Sequence, residues 1–112
     1  MMEKTETGRV NLFGLPRTPL TEEFTSILAE GRGVRVEKIV SAGQTTGWCD
    51  QAETEFVSLL QGEAEIEYEN GETVRLLKGD TLIINPRERH RVSFTTTEPP
   101  CVWLCVFYRR GD

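Results

Sequence analysis

The sequence predicts an all-β domain, a sandwich or closed barrel of short antiparallel strands, with one short helix near its N-terminus. Three observations carry this expectation. From Val34 onward the apolar segments are short, five to eight residues each, and several alternate apolar with charged side chains. Glycine or proline punctuates nearly every junction between them. Only one upstream stretch has helical spacing.

That stretch is LTEEFTSILAEG, residues 20–31. Phe24, Ile27 and Leu28 fall at i, i+3 and i+4, one face of a helix. Thr21 suits an N-cap, Glu22 and Glu23 suit the first turn, and Gly31 suits the stop. Before it, residues 1–8 read as a polar, loose tail and residues 9–112 as a single domain. Val10–Phe13 reads as a short strand ahead of a loop marked by Gly14, Pro16 and Pro19.

The strand pattern then takes over. Val34, Val36 and Ile39 alternate with Arg35, Glu37 and Lys38, and Gly43 and Gly47 bracket a loop. Phe56–Leu60 is a short apolar run ended by Gln61-Gly62. Ala64, Ile66 and Tyr68 alternate with Glu63, Glu65, Glu67 and Glu69. The hairpin that follows has a defined register. A two-residue Asn70-Gly71 turn would set glutamates on the face of Val74 and Leu76. A three-residue loop pairs Ile66 with Val74, Ala64 with Leu76 and Glu65 with Arg75, and keeps one face apolar. The remaining strands are Asp80–Ile84, His90–Thr95 and Cys101–Tyr108, separated by Pro86 and by Pro99-Pro100.

Composition narrows the classes of function. With 112 residues, the chain supports one core. A net charge of −5 disfavours nucleic acid and anionic membranes as partners. No apolar run reaches the roughly 18 residues that span a bilayer, and MMEKTETGRV has no apolar export signal, so a cytoplasmic location is expected. Three cysteines cannot all pair within the chain. Cys101 and Cys105, four apart on a strand, lie about 13 Å from each other, too far for a disulfide. Reduced thiols are expected.

Two stretches carry motif spacing. Gly43 is followed by five residues and Cys49, then one residue and Gln51, three and Glu55, six and Gly62. Gly79 opens GDTLIINPRERH, with His90 eleven residues on; Pro86 stands one place late, Arg87 in a glycine slot and Phe94 in an asparagine slot. Over residues 34–108 this resembles the cupin (RmlC-like) family, whose first motif has histidines where Cys49 and Gln51 stand. The Trp48-Cys49-Asp50-Gln51 segment is similar to a poorly characterised single-domain subgroup with W-x-D-Q in place of the HxH motif. The resemblance implies a double-stranded β-helix, or jelly-roll barrel, built of two antiparallel sheets.

Typical cupins hold a divalent metal with two histidines, the glutamate and the last histidine. Carried over, the resemblance implies Gln51, Glu55 and His90 as metal ligands, with Cys49 as a further candidate, and zinc, iron, manganese or nickel as the metal. The thinned imidazole set also leaves room for no metal at all. Glu55 and His90 are the candidate catalytic pair, and Trp48, Cys49 and Gln51 the candidate ligand-binding residues. Strand alternation agrees: with His90 inward, Val92 and Phe94 follow, and with Glu55 inward, Val57 and Leu59 follow. Two functional readings result. One is a small-molecule-binding cupin, metal-assisted and acting on a carbonyl- or carboxylate-bearing metabolite. The other is a metal-free, non-catalytic ligand sensor or assembly module. Phe56 and Leu60 point opposite to Glu55 and mark a homodimer face. The glutamate ladder reads as a solvated sheet face, and PRERHR, interrupted by Glu88, carries no nucleic-acid signal.

Overall fold

The computed structural model describes residues 8–16 and 20–109; of the expected tail, residues 1–7 lie outside that range. Eight strands follow one another: β1 (Phe24–Gly31), β2 (Val34–Ser41), β3 (Thr54–Gln61), β4 (Ala64–Tyr68), β5 (Thr73–Leu76), β6 (Thr81–Ile84), β7 (His90–Thr95) and β8 (Cys101–Tyr108). They form a five-stranded sheet, ordered β1-β2-β8-β3-β6, and a three-stranded sheet, β5-β4-β7, with neighbouring strands antiparallel throughout. The jelly-roll expectation holds, as does the hairpin register. Ala64 opposes Leu76, Glu65 opposes Arg75 and Ile66 opposes Val74. Tyr68 N–H donates to the Glu72 carbonyl at 2.8 Å, which closes the three-residue loop, and Gly71 sits in it at φ 94°.

The expected helix is absent. Residues 24–31 form β1, an edge strand paired with β2. Phe24, Ser26 and Leu28 are buried or half-buried while Thr25, Ile27 and Ala29 are exposed, a period of two rather than 3.6. The helical spacing of Phe24, Ile27 and Leu28 was matched by β-branched Thr25 and Ile27, which favour a strand. A bulge at Leu28 shifts the register with β2 between Ile27 and Ala29. The strand expected at Val10–Phe13 is likewise a turn. The Asn11 carboxamide accepts from Phe13 N–H at 2.8 Å, and Gly14 N–H donates to the Asn11 carbonyl at 3.0 Å. This segment lies over the outer face of β2, where the Gly14 carbonyl accepts from the buried Lys38 ammonium.

The core sits between the sheets. Val57 and Leu59 on β3, Ala64 and Ile66 on β4, Leu76, Ile84, and alternate residues of β8 (Cys101, Trp103, Cys105, Phe107) fill it. On the other face of the small sheet the glutamate ladder meets arginines from both sides: Glu63 with Arg75 of β5 at 3.2 Å, Glu67 with Arg91 of β7 at 2.7 Å, and Glu69 with Arg89, just before β7, at 3.1 Å. All three cysteines are free thiols.

Gly62 links β3 to β4 at φ 87°, where a Cβ would come within 2.8 Å of both Cys101 Sγ and Thr96 Oγ1 and 3.0 Å of the Cys101 backbone. Gly62→Ala is therefore expected to destabilise the fold by more than about 1 kcal/mol, read as a lowered midpoint in urea denaturation.

Candidate functional site

The two sheets enclose a cavity of about 150 Å³. Its position follows from strand alternation. On β3 the inward residues are Glu55, Val57 and Leu59; pairing with β8 sets Glu55 beside Phe107, Val57 beside Cys105 and Leu59 beside Trp103. From the small sheet come Ile66, His90 and Val92. The wall is thus mostly apolar, with a polar end made by Glu55, His90 and Gln51.

His90 is held from both sides. Its backbone pairs with Cys49, Cys49 N–H donating to the His90 carbonyl at 2.7 Å and His90 N–H to the Cys49 carbonyl at 3.1 Å. Its ring Nδ1 lies 2.9 Å from the Glu88 carbonyl. A carbonyl only accepts, so Nδ1 carries a proton, and Nε2 is the ring nitrogen turned toward the cavity. Glu55 Oε1 lies 3.7 Å from that Nε2, too far for a direct hydrogen bond. The same oxygen accepts from the Gln51 amide at 3.0 Å. Gln51 is placed in turn by Arg87 N–H, which donates to its carbonyl at 2.8 Å. Arg87, in the glycine slot of the motif, adopts φ 62°, the left-handed conformation a glycine there would take without strain.

Glu55 is 8% exposed. Burial holds its carboxyl above the usual carboxylate range. The Gln51 hydrogen bond, the His90 charge and the Cys105 thiol pull it back without cancelling the rise. Burial pushes the Cys105 thiol well up, and Glu55 beside it adds to the effect. The Cys49 thiol is also raised by burial, and lies 3.6 Å from the Gly47 carbonyl. Glu23, at the cavity edge, is raised by burial and by Glu37.

Four of the five residues singled out from the sequence meet here: Cys49, Gln51, Glu55 and His90 all line the cavity. Trp48 does not. It is 38% exposed, with the Arg91 and Arg89 guanidinium groups 4.7 and 5.7 Å from its ring. Phe94, expected inward with His90 and Val92, faces out under Arg75 at 4.5 Å. The cause is a bulge. Glu65 pairs with Phe94 and Ile66 with Val92, which leaves Ser93 unpaired and reverses the alternation, so that Thr95 becomes buried instead. Sequence reasoning missed Glu23, hidden by the helical reading, and Cys105, which the alternation of β8 with Trp103 and Phe107 would have pointed inward.

Among the described residues no three of His, Cys, Asp or Glu gather to hold an ion. The two anionic candidates, Glu55 and Cys49, are both held toward their protonated forms by burial, and the Gln51 amide N–H is directed at Glu55. Glu55 and His90 with one neutral amide do not fit a resident transition metal.

The cupin domain family matches residues 36–107, and the chain belongs to that family. Among solved structures, it is similar to a candidate mannose-6-phosphate isomerase of Ralstonia eutropha JMP134, at 32% identity and TM-score 0.85, covering 91% of this chain and 98% of that one. A cupin superfamily protein of Desulfitobacterium hafniense DCB-2 is 15% identical with TM-score 0.79, covering 97% of both chains. KdgF of Halomonas sp. is 19% identical with TM-score 0.67, covering 84% of this chain and 87% of that one. These last two show the fold alone. No curated protein matches the sequence. Among the described residues, no helix is long and apolar enough to cross a membrane.

The raised Glu55 carboxyl has a consequence for stability. A carboxyl with a folded-state pKa above its unfolded value stabilises the fold below the unfolded pKa, and that contribution is lost as pH rises through the folded value. Glu55→Gln is therefore expected to unfold at a higher temperature than wild type at neutral pH, by roughly 4–8 °C for each kcal/mol recovered. The difference should shrink toward zero at pH below the unfolded carboxylate range, as followed by circular dichroism melts across pH.

Proposed function

We propose that this protein is a small-molecule-binding cupin that holds its ligand at Glu55 and His90 without a resident transition metal. One observation carries the reading: an apolar cavity of about 150 Å³ ends in a carboxyl and an imidazole 3.7 Å apart, close enough to share one ligand atom and too far apart to hydrogen-bond each other directly. A cavity of this size takes a molecule of about six non-hydrogen atoms. Glu55 and His90 are also suited to proton exchange with such a ligand. Burial shifts the Glu55 carboxyl toward its protonated form, and His90 Nε2 lies 3.7 Å from it at the same end of the cavity. The activity in the description of the Ralstonia protein is not carried over, because a phosphosugar exceeds this volume and the cavity wall contains no Lys or Arg to meet a phosphate.

Elemental analysis of untagged protein incubated with zinc, manganese, iron and nickel is expected to find substoichiometric metal. Chelator-treated protein should keep its melting-temperature response to small polar compounds. A stoichiometric metal in wild type, lost in His90→Ala, would instead establish the metal-assisted reading.

A homodimer through the outer face of the five-stranded sheet is proposed alongside. The registers set Val36 beside Val106, Val106 beside Phe56, and Phe56 beside Ile83, an apolar row across four strands. Ile83 is 43% exposed. Such a row suits self-complementary pairing about a two-fold axis. Light scattering after gel filtration should give the dimer mass for wild type and the monomer mass for Ile83→Asp; a monomeric wild type would refute the assignment.

A further inference from the structure

We infer that the ligand of this cavity is a compact hydrocarbon ring bearing a single polar group, with the ring at the Trp103 end and the polar group at Glu55 and His90; the inference rests on the small-molecule reading above. The cavity has two unlike ends, and strand register separates them. Glu55 pairs with Phe107, Val57 with Cys105 and Leu59 with Trp103, so Trp103 stands two inward positions along β8 from the polar end. Ile39 of β2 pairs with Trp103 and lines the same end. From the small sheet, Ile66 and Val92 face the middle of the row.

Hydrogen-bond accounting distinguishes the ends. Trp103 gives its indole N–H to Ser41 Oγ at 3.0 Å, so its ring meets the cavity with carbon. Ile39, Val57, Ile66 and Val92 bring only hydrocarbon side chains. The polar side chains in the middle are already partnered: Thr46 Oγ1 accepts from Val92 N–H at 2.9 Å, and the Cys105 thiol bonds Glu55. A ligand hydroxyl placed there would leave water and gain no partner, a loss of about ten- to a hundredfold in affinity. A hydrocarbon group gains from burial against the same wall. The polar end is the reverse, since Gln51, Glu55 and His90 gather there. A hydroxyl both donates and accepts, so it meets Glu55 and His90 whichever of them holds a proton. Size completes the description. About 150 Å³ has room for roughly six non-hydrogen atoms, one of them polar and the rest carbon. A ring has fewer rotatable bonds to freeze than an open chain of the same size, and so enters at lower cost.

Isothermal titration with cyclopentanol, cis-cyclopentane-1,3-diol and glycerol tests this directly, since the series adds hydroxyl groups at similar size. Cyclopentanol is expected to bind most tightly, the diol about ten- to a hundredfold more weakly, and glycerol more weakly again. Nuclear Overhauser contacts are expected to run from the ring methylene protons of bound cyclopentanol to Trp103 and Ile39, and from its carbinol proton to His90. Diol or glycerol binding as tightly as cyclopentanol would overturn the hydrocarbon assignment and leave the small-molecule reading standing. The reverse placement of ring and carbinol would do the same. Failure of all three compounds to bind would overturn both readings. Every readout is on the wild-type protein, so none depends on a variant folding.

Discussion

The alternation of side chains along β3 and β8 is the constraint on which the rest depends. These two strands lie side by side near the middle of the larger sheet, and their register fixes what faces the cavity: Glu55 with Phe107, Val57 with Cys105, Leu59 with Trp103. A slip of one residue would send this whole row to the opposite face and bring Phe56, Ser58 and Leu104 inward. The turn at Gly62 defends the register, because it starts β4 against Cys101 and Thr96 with no space for a side chain. The small sheet then closes over a row already set. The cavity is therefore a consequence of pairing, and its polar end is simply where β3 begins.

Placing Glu55 there has an energetic cost that shapes its surroundings. A carboxyl removed from water must be protonated, hydrogen-bonded or paired. Gln51 supplies a hydrogen bond, Cys105 a weaker one, and His90 stands just beyond bonding distance. The result is a group that is supported but not fully satisfied. The same reasoning weighs against a transition metal. A metal centre needs several anionic or imidazole donors already converging, and Cys49 and Gln51 bring a thiol held neutral by burial and an amide turned to Glu55.

Much of this was legible in the sequence, and the misses have particular causes. The hairpin at Glu69-Asn70-Gly71 was readable because only one register kept Ile66, Val74, Ala64 and Leu76 on one face. Glu55 and His90 were readable as inward because each opens an otherwise apolar alternation. β1 was not, since Ile27 faces outward at 41% exposure yet completes a helical spacing with Phe24 and Leu28, while the inward residues Phe24, Ser26 and Leu28 keep a period of two. A bulge hid the orientation of Phe94. Ser93 bulges out of β7, where its hydroxyl bonds the Glu65 carboxylate at 2.7 Å, and an unpaired serine has no signature that distinguishes it from an ordinary outward one. The setting of Trp48 was not legible either, because its arginine partners, Arg89 and Arg91, are more than 40 residues away in sequence and become neighbours only through the Cys49–His90 pairing.

That pairing also explains why the family's spacing can persist here while its ligands do not. The position of Cys49 serves the fold through its backbone, whose N–H and carbonyl both bond His90, so any side chain that tolerates the cavity edge can stand there. Gln51 serves through its carbonyl, which accepts from Arg87 and fixes the loop before β7. Gly43, Gly62 and Gly79 serve through positive φ. Each motif position thus has a backbone task separable from its side chain, and the fold depends on the first while the chemistry depends on the second. A barrel whose spacing identifies its family can therefore exchange two imidazoles for a thiol and an amide without losing its shape. What changes is the chemistry at the polar end, where a carboxyl and a single imidazole face an apolar cavity beside a thiol and an amide.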